Sequence, residues 1–194
     1  MNRTLAALMI SAAALSTALA AAPALAQSAM GPTAVVSPQP LPIDDSRPRV
    51  FLGGSIDMGG APDWQAAITS ALADMDVVIL NPRRPDWNPN WRPEAEEPEF
   101  RRQVEWELAA LESADVIVMY FAPGTQSPIS LLEMGLHARG GKLIVLAPEG
   151  FWRKGNVDIT AQAYGVKQVQ SLPELTAAVR EALSTAAAKG RFAR

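Results

Sequence analysis

Two glutamates stand where burial would make a carboxyl group chemically useful. Over Glu99–Ala114, apolar residues recur at Phe100, Val104, Leu108 and Leu111, the period of an amphipathic helix. At about 100° per residue these four span roughly 80° of the helix surface, and Glu107 lies about 20° beyond their edge. A carboxylate on a core-facing stripe is costly unless it is paired, hydrogen-bonded or lining a cavity. Glu107 is therefore either a structural carboxylate tied to an arginine or a backbone amide, or an acid tuned for proton transfer. Glu133 is the second case. Its helix opens at Ser127-Pro128, with serine at the N-cap and proline at the first helical position. Ile129, Leu132 and Leu136 mark an inward stripe, and Glu133 falls just off its edge. Spacing alone reads it as an exposed glutamate, although it lies near the end of the helix that would face a ligand.

The other candidates are weaker. Gly53-Gly54-Ser55 and Gly59-Gly60 offer backbone amides to an anion or a sugar, or simply make a tight turn after a strand. They lack the G-x-G-x-x-G spacing of dinucleotide folds and the Gly-Lys-Ser/Thr of a P-loop. Trp87 and Trp91 lie among Arg83, Arg84 and Arg92 in a proline-rich segment. They form either a stacking surface for a base or sugar, or a loop packed on its own domain or an oligomer neighbour. His137 reads as a structural or surface residue. It is the single histidine, and there is no cysteine. Thiolate metal sites, multi-histidine metal sites, disulfides and cysteine nucleophiles are excluded.

The elements that must position these groups alternate. Strands are expected at Val50–Leu52, Asp76–Leu80, Asp115–Phe121 and Lys142–Ala147, with a weak fifth near Val166–Val169. Helices are expected after Pro62-Asp63, over Glu99–Ala114, from Ser127 to Gly140, and from Leu172 to about Ala187. Apolar strands alternating with amphipathic helices imply parallel pairing and right-handed crossovers. The expected fold class is α/β, a three-layer Rossmann-like or flavodoxin-like sandwich with a parallel sheet of about five strands. Ligands bind such sheets beyond the carboxyl ends of the strands. That edge would collect the loops Gly53–Ala61, Asn81–Pro98, Ala122–Ser127 and Pro148–Asp158.

The chain has 194 residues, 48% hydrophobic and 19% charged, with a formal net charge of -3. This is a globular balance without the basic excess of a nucleic-acid binder. Residues 1–26 run from Arg3 through an alanine- and leucine-rich stretch to Ala24-Leu25-Ala26, the order of a secretory signal peptide cleaved after Ala26. Cleavage would remove one of 17 basic residues and none of 20 acidic ones, leaving 16 against 20, a net charge of -4. A periplasmic or secreted location without a stable membrane anchor is expected. Residues 27–48, with five prolines, read as an extended tether without a core of its own. The folded unit is expected over 49–183, with 184–194 as a C-terminal tail.

Taken in order, several segments resemble the nucleoside 2-deoxyribosyltransferase-like family of the nucleoside 2-deoxyribosyltransferase superfamily. They are Val50-Phe-Leu-Gly-Gly-Ser55, Asn81-Pro82, Gln103-Val-Glu-Trp-Glu107, Ala114-Asp115-Val-Ile-Val118, Ser127-Pro-Ile-Ser-Leu-Leu-Glu-Met-Gly135 and Gly150-Phe-Trp-Arg-Lys-Gly-Asn156. The resemblance implies an enzyme that cleaves the N-glycosidic bond of (deoxy)nucleosides and transfers the sugar to another base. Glu133 would be the nucleophile that forms a glycosyl ester, and Glu107 the acid that holds and protonates the base. Gly53, Gly54, Ser55 and Ser127 would lie on the sugar side, with Asn81, Trp87, Asp115 and Asn156 as further substrate contacts. A homo-oligomer is implied; no metal or redox cofactor is. Many members carry an acid where this chain has Ser127. The related 2′-deoxynucleoside 5′-monophosphate N-hydrolases have a serine there against the phosphate, so hydrolysis is the alternative. A non-catalytic nucleotide- or sugar-binding domain is the other.

Overall fold

A computed structural model describes residues 31–57 and 60–189; residues 1–26, expected to be a signal peptide, lie outside the described residues. Six parallel strands form one sheet: β1 (Thr33–Val36), β2 (Arg49–Gly54), β3 (Val78–Asn81), β4 (Val116–Tyr120), β5 (Leu143–Leu146) and β6 (Lys167–Val169). Their spatial order is β1-β3-β2-β4-β5-β6. Five helices connect or follow them: α1 (Trp64–Ala71), α2 (Pro98–Ser113), α3 (Pro128–His137), α4 (Lys154–Tyr164) and α5 (Leu172–Lys189). The expected α/β sandwich is observed, with one strand more than expected.

Side chains alternate across the sheet as the period of two requires. Phe51, Leu80, Ile117, Met119 and Val145 pack with Trp106, Leu111, Met134 and Val157, which places α2, α3 and α4 on one face. Val50, Leu52, Ile79, Val118 and Ile144 pack with Trp64, Ile68, Leu175 and Val179 of α1 and α5 on the other. From β2 the chain moves outward to β3, then crosses back over β2 to reach β4. The strand order therefore reverses at β2, and the crevice beyond its carboxyl end, between β2 and β4, is where a doubly wound sheet binds ligand.

Two expectations about the ends of the unit are corrected. The described part of the supposed tether, residues 31–48, belongs to the domain. β1 pairs in register with β3, Thr33 to Val78 through Val36 to Asn81, and Val35 is buried in the core. The segment after it crosses α2, where the Trp106 indole N–H donates to the Gln39 carbonyl at 2.7 Å. The Arg49 guanidinium then gathers the carbonyls of Pro42 (2.6 Å), Ile43 and Asp45. A four-residue edge strand with one inward side chain is too short to show a period, and prolines do not exclude an edge. At the other end, residues 184–189 of the supposed tail continue α5. Trp106→Phe is expected to lower stability by about 1–3 kcal/mol, through lost packing and the unpaired Gln39 carbonyl. Denaturant titration against the parent chain measures it.

A third correction is α4, which takes up the last five residues of the Pro148–Asp158 segment expected to be a ligand-edge loop and continues to Tyr164. Only Val157 and Ala161 on it are buried, so its helical period leaves almost no apolar signature.

Candidate active site

The turn after β2 comes first, because the carboxyl edge of the sheet begins there. A Cβ on Gly53 would lie 2.8 Å from the Met119 sulfur. One on Gly54, at φ +137°, would lie 2.2 Å from the Tyr120 carbonyl oxygen. Gly54 is therefore required by the approach of the β4 backbone and by its own φ, whereas a side chain at Gly53 would have to displace those of Met119 and Phe51. Ser55 follows, almost fully buried, and its N–H donates to the Tyr120 carbonyl at 2.7 Å. Its hydroxyl accepts from the Ala122 N–H at 2.8 Å. It also meets Thr125 Oγ1 at 2.8 Å and Ser127 Oγ at 2.6 Å. Thr125 in turn donates to the Ala122 carbonyl at 2.8 Å. Ser127 stands at the N-cap of α3 as expected, but at φ 46° it points its hydroxyl into this cluster and makes no side-chain bond to the helix. A non-glycine residue in the left-handed region is uncommon, and here three linked hydroxyls hold it.

Helix α3 shows the largest departure from expectation. Its buried residues are Ser130, Glu133 and Met134. Ile129, Leu132 and Leu136, read as the inward stripe, are 57–60% exposed. The helix is turned so that the glutamate faces in and the leucines face out. Glu133 has no hydrogen-bond or ion-pair partner among the described residues. Burial, and after it the charge of Glu107, raises its pKa from the ordinary 4.5 to about 8.

Helix α2 also presents a different arc from the one expected. Gln103, Trp106, Ala110 and Leu111 face in, while Leu108 is 46% exposed. Gln103 can be buried because its polar atoms are matched. Its amide Nε2 donates to the Pro82 carbonyl at 3.0 Å and to Glu107 Oε1 at 2.9 Å, and its Oε1 accepts from the Ser37 hydroxyl at 2.5 Å. Glu107, one turn along, is half-buried. Burial raises its pKa to about 6, against the lowering effect of the Gln103 hydrogen bond. Neither glutamate is paired with an arginine or lysine among the described residues. The two glutamates are carried by helices on the same face of the sheet, and the charge of Glu107 adds to burial in raising the pKa of Glu133. Such a pair titrates as a unit and holds one proton near neutrality.

The other expected contacts are distributed differently. Asn81 lies at the carboxyl end of β3, where its Oδ1 accepts from the Arg83 N–H at 2.9 Å. Trp87 packs edge-on against Trp91, with ring centroids 5.2 Å apart. Arg84 sits 4.8 Å above Trp91 and is itself held by Asp86 at 2.8 Å. The tryptophan loop therefore makes part of its packing with its own residues, and both indoles stay partly exposed. Asp115 is not brought to the site. It precedes β4 at the amino end of the sheet, where its carboxylate accepts from the Arg49 N–H at 2.8 Å, because that end needs an acceptor for the first amide of β2. Asn156 lies with Trp152, Arg153, Leu131 and Gly135 along a groove of about 320 Å³ between α3 and α4, and Glu133 does not line it. His137 ends α3, half-buried.

Ser37, Gln103 and Thr125 were not anticipated as part of this site. The i,i+4 spacing of Gln103 and Glu107 is a local signal for Gln103 alone; Ser37 and Thr125 meet their partners only through the fold. No group of three or more His, Asp or Glu that could hold a metal ion occurs among the described residues. No helix among them is long and apolar enough to cross a membrane.

A doubly wound parallel sheet with helices on both faces defines the class, an α/β protein of the kind that binds ligands beyond the carboxyl ends of its strands. The family described as nucleoside 2-deoxyribosyltransferase like matches residues 47–151, and the chain belongs to that family. The match takes in both glutamates and ends before Trp152. No curated protein sequence matches the chain.

Proposed function

We propose that this protein cleaves the N-glycosidic bond of 2′-deoxynucleosides and passes the sugar to a second base through an ester on Glu133. The supporting observation is the pair of carboxyls on two helices of one sheet face, the half-buried Glu107 and the buried Glu133, with no cationic partner among the described residues. The resting pair keeps its single proton mainly on Glu133, and the reacting form is the less populated arrangement of that proton, in which Glu133 is ionised and Glu107 holds it. A Glu133 oxygen bonds to C1′ as the C1′–N bond breaks, and the Glu107 proton goes to the departing base nitrogen. The acceptor base then attacks C1′ from the vacated side, its N–H proton returns to Glu107, and Glu133 is released as carboxylate. Two inversions give net retention. The chemistry needs one carboxylate and one acid, which is the singly protonated pair. Turnover is therefore expected to be greatest between about pH 6 and about pH 8, the two limits set by burial and mutual repulsion.

One observation favours a second reading. Ser127 gives the start of α3 a hydroxyl and no negative charge, and with Ser55 and Thr125 it forms a neutral, donor-capable edge. A helix N-terminus of that kind suits a 5′-phosphate, and water would then be the acceptor. The test incubates the purified chain with 2′-deoxynucleosides and their 5′-monophosphates, with and without a second free base, and follows products by chromatography. New nucleoside formed only with added base supports transfer. Free base from the monophosphates alone moves the assignment to an N-hydrolase. No Glu133-dependent product from any of them rejects both enzymes and leaves a binding domain.

The proposal includes a homo-oligomer, with the second copy covering Ile129, Leu132 and Leu136 beside the buried Glu133. Three exposed aliphatic side chains on one helix face are an unfavourable surface in water. Leu132→Glu is expected to shift sedimentation to the monomer while leaving the monomer folded. An unchanged sedimentation coefficient would remove this face from the interface. The signal-like pattern of residues 1–26 adds an exported location to the same proposal.

A further inference from the structure

We infer that Gln103, braced by Ser37, is a positioning residue that fixes which oxygen of Glu107 carries the proton. This assignment rests on the reading of Glu107 as the proton donor, and its test needs no turnover. Gln103 is buried on α2, one turn before Glu107. The Pro82 carbonyl can only accept, so the atom facing it at 3.0 Å must be the amide nitrogen. That excludes the flipped amide and sets the Gln103 oxygen toward Ser37, whose hydroxyl is the donor. The second amide hydrogen goes to Glu107 Oε1 at 2.9 Å. Both hydrogens of Gln103 are then in use, and Oε1 of Glu107 is committed as an acceptor. When Glu107 is protonated, its hydrogen must reside on Oε2, the oxygen Gln103 does not touch. The brace spans three separate pieces of the chain: the segment after β1, the loop after β3, and α2.

The same bond stabilises the ionised form of Glu107 and opposes the effect of burial. The other charge acting on this pocket is Glu133 of α3; no cation from α2, α3 or the loop after β3 is paired with either carboxyl among the described residues. Removing the donor must therefore raise the Glu107 titration midpoint, whereas damage to the fold would lower activity at every pH without that displacement.

The test labels the glutamate side-chain carboxyls of the whole chain with carbon-13 and assigns Glu107 by its loss in Glu107→Gln. In Gln103→Met, close in volume but unable to donate, the Glu107 midpoint is expected to rise by about one pH unit. In Ser37→Ala the amide loses only its orienting partner, and a smaller rise is expected. If Gln103→Met does not fold, Ser37→Ala decides. An unmoved Glu107 midpoint in a folded Gln103→Met variant, or in Ser37→Ala where that variant is lost, overturns the assignment. Where turnover is present, the acid limb of kcat/KM, set near pH 6 by Glu107, should move upward with the midpoint. Absence of turnover would reject the enzyme and leave the brace to be judged by the titration alone.

Discussion

Glu133→Gln should reduce product formation from every substrate of the chain by about 10³-fold or more. The substitution keeps the shape of the side chain and replaces an anionic oxygen by an amide oxygen with little nucleophilicity. Glu133 sits on the buried arc of α3 with no hydrogen-bond or ion-pair partner among the described residues, so the substitution breaks no polar contact with them. Substrate affinity, measured by calorimetry with an unreacted nucleoside, should stay within a few-fold of the parent. Loss of turnover with retained binding is the signature of a group that acts in the transition state. Equal loss of binding would instead make Glu133 a recognition residue. Glu107→Gln should differ in kind. A general acid contributes about 10²–10⁴-fold, and its contribution shrinks when the departing base needs no proton. The defect in that variant should therefore narrow with bases that leave easily, whereas the Glu133→Gln defect should not.

The same substitution should stabilise the fold at alkaline pH. In the unfolded chain Glu133 ionises near its ordinary 4.5; in the folded chain burial and the Glu107 charge hold it protonated until about 8. Between those values the folded state binds the additional proton, so stability falls as pH rises from 4.5 to about 8 and then levels off. Integrated over that window, the loss attributable to this site is on the order of 5 kcal/mol, shared with Glu107 as its coupled partner. Glu133→Gln carries no titratable group there. It should match the parent at pH 4 and exceed it increasingly up to pH 8 and above, as followed by thermal unfolding at fixed ionic strength. The lowered carboxyls Asp74 and Asp86, held near 2 by hydrogen bonds from Arg180 and Arg84, act in the opposite sense. Their contribution is lost below pH 4, outside the window. A parent and variant that respond alike between pH 5 and pH 8 would show that Glu133 titrates as an exposed carboxyl. A variant less active but more stable is the expected behaviour of a group kept buried for chemistry.

Much of the scaffold could be read from local pattern. Continuous apolar runs such as Val116–Tyr120 and Leu143–Leu146 mark strands buried on both faces. Asp63, whose side chain accepts from the Ala66 N–H, marks the start of α1, and Pro98 and Pro128 mark the starts of α2 and α3. Where the period was weak or very short, as in α4 and β1, no local signal distinguished an element from a loop. The orientation of α3 misled for a different reason. A helix with apolar residues on one arc turns that arc toward whatever apolar surface is available, and the described residues leave Ile129, Leu132 and Leu136 uncovered. Periodicity measures amphipathicity, not which neighbour will receive the stripe.

Composition, the absence of cysteine, the alternation of strands with helices and the ordered family segments were determined by the sequence itself. Each depends on residue identity or short-range spacing, and so needs no knowledge of distant contacts. The inward turn of Glu133 was decided only by the tertiary structure. So were the convergence of Ser55, Thr125 and Ser127, the placement of Asp115 at the opposite end of the sheet, and the Ser37–Gln103–Glu107 brace. These depend on which segments meet when the sheet closes. Ser37 and Gln103 are 66 residues apart, and no one-dimensional period couples positions at that distance. Packing couples them because a buried amide must find partners wherever the fold provides them.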